Sequence, residues 1–196
     1  MTNQPIPFAN EPRPDTGLRS SRLGLWLVLA SEVMLFAGLF SALAFLQLGG
    51  TTWPLNDLEH GLPLINSAVM AASMLVLFLA GRAVTRHEGE FRLLWTLGLA
   101  LGLLVLFIRS AEWSILLGMG RTPASHNLFG IYFVLTGLQA MLLAGNLIVN
   151  GWILLTGDSL IRIDPARHRE RVYGAIVHWL ALVVVWFAIM IAFFAG

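Results

Sequence analysis

Apolar residues dominate five long segments of the chain, and polar residues, glycine and proline separate each segment from the next. The apolar segments cover about 22–48, 62–84, 91–118, 127–156 and 172–194. Each exceeds the roughly 20 residues that a helix needs to cross the hydrocarbon core of a bilayer. Strands that cross a membrane are shorter and alternate polar with apolar positions, which these segments do not. The pattern therefore predicts an all-α fold, a polytopic membrane bundle of five transmembrane helices.

Residues 1–21 have a different composition from the rest of the chain. They hold four prolines, several polar residues and no apolar run. This composition is typical of a segment that buries too little apolar surface to fold by itself, and it does not match a secretory signal peptide. We therefore expect a partly disordered N-terminal arm over 1–21, followed by a five-helix transmembrane domain over 22–196.

The arginines predict how the bundle is oriented, because connections on the cytoplasmic side of a membrane are enriched in basic residues. The third connection carries only Arg121, and the first carries none. Ten arginines lie in the N-terminal arm, the second connection and the fourth connection: Arg13, Arg19, Arg22, Arg82, Arg86, Arg92, Arg162, Arg167, Arg169 and Arg171. The sequence thus predicts a cytoplasmic N-terminus and a C-terminus on the outer side of the membrane.

Composition supports the membrane setting and excludes several kinds of site. Hydrophobic residues make up 57% of the chain and charged residues 12%, against roughly 25% charged residues in soluble domains. The net charge of +1 argues against nucleic-acid binding. The chain has no cysteine, which excludes disulfides, iron–sulfur clusters and thiolate metal sites.

Three polar residues are predicted to share a layer in the cytoplasmic half of the membrane. At ~1.5 Å per residue, Glu32 and Asn146 lie roughly 15 Å from the cytoplasmic face and His178 roughly 9 Å from it. An ionisable group at such depth needs a partner or a role in a proton path, and for Glu32 both remain open. For His178 a hydrogen bond between helices is favoured over a metal site, because no second histidine lies one or two turns away.

A second polar layer is predicted towards the outer side of the membrane. Arg109 and Glu112 are three residues apart, so they share one face of the third helix and can form an ion pair. Asn66, near the outer end of the second helix, lies at a compatible depth. These residues are expected to link helices structurally rather than to perform chemistry, since both charged groups are near the interface.

Five stretches of the sequence resemble, in order, cytochrome c oxidase subunit III. They are Leu25–Phe40, Leu62–Val69, Ser110–Trp113, Gly130–Gly137 and Tyr173–Trp186. The length resembles the short five-helix bacterial form of this family, which implies the inner membrane of a bacterium and a periplasmic C-terminus. Glu32, Glu112 and His178 fall on positions where the family carries a glutamate, a glutamate and a histidine.

The resemblance implies a subunit without catalytic residues, metal or cofactor of its own. Its partners would be oxidase subunits I and II, with haem and copper in the catalytic subunit that reduces oxygen in aerobic respiration. In that family the subunit stabilises the catalytic subunit, supports proton uptake and binds phospholipid between its helices. No activity is expected of the chain alone.

Three positions depart from the family pattern and keep other functions open. Gln139 and Leu142 stand where the family usually has two histidines, and Ala181 stands where its last helix usually has an aspartate. A subunit III homologue of a nitric oxide reductase or of a quinol oxidase is therefore an alternative. A stand-alone transporter, with Glu32 and Arg109 along its pathway, is a rival of another class.

Overall fold

The computed structural model contains five helices: α1 (Ser20–Leu48), α2 (Gly61–Ala83), α3 (Glu88–Gly118), α4 (Asn127–Ile163) and α5 (Pro165–Phe194). It describes residues 20–49, 53–55, 58, 60–84 and 88–194, except for the side chains of Ser20, Glu88, Asp158 and Ser159. Of the predicted arm, residues 1–19 lie outside this described part. All five helices are long and apolar enough to cross a membrane. The described residues include no strand, so the prediction of an all-α bundle of five membrane-spanning helices is confirmed.

The junction between α4 and α5 differs from the connection that the sequence predicts over 157–171. α4 continues to Ile163, and α5 begins at Pro165, so only Asp164 separates them. The Asp164 carboxylate accepts a 2.9 Å hydrogen bond from the backbone N–H of Arg167, which satisfies a free donor of the first turn. Proline is also favourable at the first position of a helix, where no N–H is needed. These local features allow a helical start in a polar, arginine-rich stretch.

Four helices form the compact part of the bundle. α2 packs closely along α3, α4 along α5, and further contacts join α2 to α5 and α3 to α4. α1 makes fewer contacts, mainly with α5 and α4. Its buried side chains form a single stripe that includes Glu32, Phe36 and Leu43. The opposite face of α1 is apolar and exposed, which suits contact with lipid or with another membrane protein.

Two glycines of α3 allow neighbouring helices to approach its backbone. A Cβ atom at Gly98 would lie 2.5 Å from a methyl group of Leu77 in α2, and one at Gly102 would overlap the indole ring of Trp179 in α5. The spacing of these glycines is typical of close helix contacts in membranes. Leu77 and Trp179 are both fully buried, so α3 receives one large side chain from each neighbour.

Candidate functional site

The innermost polar contact of α1 is a hydrogen bond to α5. His178 Nε2 and Glu32 Oε1 lie 2.6 Å apart, and their side chains are 19% and 10% exposed. One of the two groups donates this hydrogen bond and the other accepts it, in a direction that depends on which of them carries the proton. The pair is therefore a direct contact between a carboxyl group and an imidazole within the membrane-spanning part of the protein.

The two residues meet because they lie at the same distance from the arginine-rich end of the bundle. Glu32 is 12 residues after the start of α1 at Ser20, and His178 is 13 residues after the start of α5 at Pro165. At ~1.5 Å per residue both distances are about 18–20 Å along the helices. The count made from the sequence for His178 was smaller because it began at residue 172 rather than at Pro165.

Asn146 lies near this pair without joining it. Its side-chain oxygen accepts a hydrogen bond from the Asn150 side chain one turn along α4. Among the described residues, its own amide nitrogen has no hydrogen-bond partner. Asn146 and His178 both line a cavity between α1, α4 and α5, so the structure brings them to one space but not into contact.

This cavity has a volume of about 740 Å³ and polar residues at the arginine-rich end. There it is lined by two acidic and two basic residues, whereas Leu25, Val28, Val149, Trp152 and Ile153 supply apolar walls farther along. The charged residues are Asp164, Arg167, Glu170 and Arg171. An apolar space with a mouth of balanced charge suits an amphipathic molecule with little net charge.

An ion pair at the same end joins α1 to α5, and sequence reasoning missed it. Glu170 accepts hydrogen bonds of 2.9 Å and 3.1 Å from Nη2 and Nε of Arg22. The pairing is bidentate, the geometry that a guanidinium and a carboxylate favour. On their helices, Glu170 lies about two turns before His178 and Arg22 nearly three turns before Glu32, so counting back from a Glu32–His178 contact could have suggested this ion pair.

The second polar cluster is fully buried and centres on Glu112. Arg109 Nη1 donates a 2.5 Å hydrogen bond to Glu112 within α3, and the two residues are 2% and 0% exposed. Tyr132 of α4 donates its hydroxyl proton to the other oxygen of Glu112. The Arg109 guanidinium also stacks on the ring of Trp186 in α5, 4.2 Å from its centroid. The ion pair lies within one helix, and Tyr132 and Trp186 provide its contacts with other helices.

Asn66 is buried but does not bond to this cluster. Its side chain is 1% exposed, and its Oδ1 has no hydrogen-bond partner among the described residues. The adjacent Ser67 connects α2 to α5 instead. Its hydroxyl accepts a 3.0 Å hydrogen bond from the indole N–H of Trp186. α2 is thus linked to α5 beside the cluster rather than through Asn66.

Tyr132 and Trp186 were not assigned to the polar layer from the sequence. Tyr132 could have been found by counting outward from the α3–α4 connection. Glu112 is six residues before the end of α3 at Gly118, and Tyr132 is five residues after the start of α4 at Asn127. Trp186 gives no comparable signal, because an indole in an apolar helix is expected in the core in any case.

Each of the four described histidines makes a contact within the bundle. His126 caps α4 by accepting a hydrogen bond from the backbone N–H of Leu128, and His168 packs against the ring of Phe91. His60 packs against another ring and His178 bonds to Glu32. Among the described residues, no three histidine, aspartate or glutamate side chains are close enough to hold a metal together.

Nearly the whole chain is similar to part of a known protein. No protein-family model matches the sequence. The chain is 26% identical over 189 residues to a protein of Aeropyrum pernix named heme-copper oxidase subunit I+III. The similarity covers 89% of this chain and 22% of that protein, so the chain spans about a fifth of its length. This similarity supports a role related to the haem–copper oxidases.

The three residues that depart from the family pattern are buried or half-buried. Gln139 is 2% exposed, and its side-chain nitrogen has no hydrogen-bond partner among the described residues. Leu142 and Ala181 are half-buried. Gln139 is thus a buried polar residue outside both polar clusters.

Proposed function

We propose that this chain is subunit III of a bacterial haem–copper terminal oxidase, a non-catalytic subunit that accompanies subunits I and II. The observation that carries the proposal is the similarity of nearly the whole chain to part of a protein whose name combines subunits I and III. The name of that protein assigns subunits I and III to a single chain. Here the subunit III part would be a separate chain that packs beside its catalytic partner in the membrane.

The bundle would act physically on its partner. Haem and copper reside in the catalytic subunit, and this chain covers part of that subunit's flank with apolar helices. The exposed apolar faces of α1 and α3, with Met34 76% and Phe107 72% exposed, provide surface for such packing. A rigid neighbour of this kind limits local opening of the catalytic subunit and so prolongs its activity.

Glu32 and His178 would support proton uptake from the arginine-rich side. The pair lies where the cavity reaches His178, and neither group is fully enclosed. A proton that enters through the charged mouth can be held at this couple and passed on. The same cavity would hold a phospholipid, whose headgroup meets the four charged residues at the mouth and whose chains lie along the apolar walls.

Purification of the tagged chain from its native membrane in a mild detergent tests the proposal. Co-elution with a polytopic partner that shows a haem spectrum, and oxygen consumption by the eluate, are the expected results. The same tag on an unrelated five-helix protein of that membrane controls for non-specific capture. A colourless chain that elutes alone would contradict the proposal, and transport by that chain in liposomes would favour the transporter.

The departures at Gln139, Leu142 and Ala181 favour a second candidate, a subunit III homologue in a nitric oxide reductase or quinol oxidase complex. The same purified complex distinguishes these possibilities. Reduction of oxygen with cytochrome c supports the first proposal. Oxygen reduction with quinol, or nitric oxide reduction, would assign the chain to the second.

A further inference from the structure

A groove between α2 and α5 differs from the cavity beside α1 in position and in charge. Its volume is about 510 Å³, and it is open to the outside of the bundle at the exposed side chains of Phe78 and Leu180. Its walls are apolar and include Met74, Phe78, Ile176, Val177 and Leu180. A groove of this kind on the outer surface of a membrane protein is suited to an acyl chain.

Two arginines stand at one end of the groove, the arginine-rich end of the bundle. Arg82 lies in the last turn of α2, and Arg169 lies four residues after the start of α5. Both line the groove and both are exposed. The Arg82 guanidinium lies 4.6 Å from the centroid of the Phe78 ring, which holds the charge against the apolar wall.

No carboxylate neutralises these two arginines within the described part of the chain. The residues that line the groove include no aspartate or glutamate, and neither arginine has an ion-pair partner among the described residues. Glu170, the neighbour of Arg169 in sequence, lines the other cavity and is paired with Arg22. The groove therefore carries two uncompensated positive charges, whereas the other cavity has two acidic and two basic residues.

We propose that the groove is a binding site for an anionic phospholipid. The phosphate-bearing headgroup lies between Arg82 and Arg169, and an acyl chain follows the apolar walls towards Leu180. Basic pockets between transmembrane helices at the membrane surface bind anionic headgroups in this way. The site is separate from the cavity beside α1 and does not depend on membership of an oxidase complex.

The test compares lipids retained by the purified full chain, together with any partner subunits that it carries. The protein is equilibrated in detergent with an equal mixture of phosphatidylglycerol and phosphatidylcholine, and bound lipids are counted by native mass spectrometry. A preference for phosphatidylglycerol is expected. The double variant Arg82→Gln/Arg169→Gln should lower this preference about thirtyfold, since each basic residue at an anionic surface contributes about a fivefold factor.

Matched variants separate this site from general surface charge and from misfolding. Arg162→Gln removes one exposed arginine at the same end of the bundle but outside the groove, and should leave the preference unchanged. Arg82→Lys/Arg169→Lys keeps both charges and should retain most of it, with a thermal unfolding midpoint like that of the unmodified chain. Equal retention of both lipids by the unmodified protein, or an unchanged preference in the folded Gln variant, would overturn the proposal.

Discussion

Glu32 of α1 and His178 of α5, 146 residues apart in sequence, are joined by a 2.6 Å hydrogen bond. The Arg22–Glu170 ion pair joins the same two helices nearer their starts. These are the two side-chain hydrogen-bonded links from α1 to another helix among the described residues. Because α1 otherwise makes few contacts with the bundle, polar contacts have an unusually large part in fixing its position.

The first prediction concerns the energy of this link. Glu32→Ala and His178→Ala should each destabilise the bundle, and the double variant should cost less than their sum. A coupling free energy of roughly 0.5–1.7 kcal/mol is expected from a double-mutant cycle, the range for hydrogen bonds between membrane helices. Ser31→Ala is a suitable control, since Ser31 is exposed and bonds only to the Leu27 carbonyl of its own helix. A coupling energy of zero would mean that the contact does not stabilise the fold.

In the assembled complex, Glu32→Gln should have a milder effect. The amide can still form a hydrogen bond with His178, so the haem spectrum of the purified complex should be retained. Turnover or its duration should fall modestly, because an amide cannot accept and release a proton in this way. Absorption spectra and oxygen consumption over time measure the two effects. Loss of the haem spectrum would contradict a peripheral role.

The second prediction concerns the buried ion pair. Glu112→Gln leaves the Arg109 charge buried without its counter-charge and should lower the free energy of unfolding by about 3–5 kcal/mol. Tyr132→Phe removes a single hydroxyl from the same cluster and should cost about 1–3 kcal/mol. Arg109→Met/Glu112→Leu should recover much of the stability lost in Glu112→Gln. Unfolding in a denaturing detergent measures all three, and equal stability of Glu112→Gln and the original chain would contradict the assignment.

The third prediction concerns the close approach of α5 to α3. Gly102→Ala places a methyl group against the indole ring of Trp179, which is fully buried. A loss of about 1–3 kcal/mol in unfolding free energy is expected. Gly145→Ala is the matched control, because a methyl group there meets no atom within 4 Å. The same stability change in both variants would show that the effect comes from helix propensity rather than from packing.

The fourth prediction concerns the single residue between α4 and α5. Asp164→Ala removes the side-chain acceptor for the Arg167 N–H and should cost about 0.5–2 kcal/mol. Asp164→Asn retains an oxygen acceptor and should cost little. Thermal unfolding of the two variants in one detergent compares them directly. A larger loss in the Asn variant would show that the charge of Asp164 matters more than its capping bond.

The fifth prediction concerns orientation. The chain has no cysteine, so single cysteines can be introduced without background. Thr122→Cys, in the exposed connection between α3 and α4, should react with a membrane-impermeant thiol reagent in cells with a permeable outer membrane. Ser21→Cys, exposed near the start of α1, should react only after the inner membrane is opened. The reverse pattern would contradict the arginine-based orientation.

The sequence determined the helices and their membrane setting, because both depend on local properties. The length of each apolar run sets whether a helix can span a bilayer, and i,i+3 spacing is enough to pair Arg109 with Glu112. Counting residues along the predicted helices also placed Glu32 and His178 in the same half of the membrane. The sequence pattern placed the start of α5 too late, since helix formation over 157–171 depends on a cap at Asp164 and on packing of residues such as His168.

Only the tertiary structure decided which side chains meet between helices. Tyr132 completes the Glu112 cluster and Trp186 covers Arg109, whereas Asn66 at a similar depth bonds to neither. Depth along a helix can be counted from sequence, but rotation about the helix axis and choice of neighbour cannot. Those two variables follow from how all five helices pack together, and they determine which polar groups find a partner.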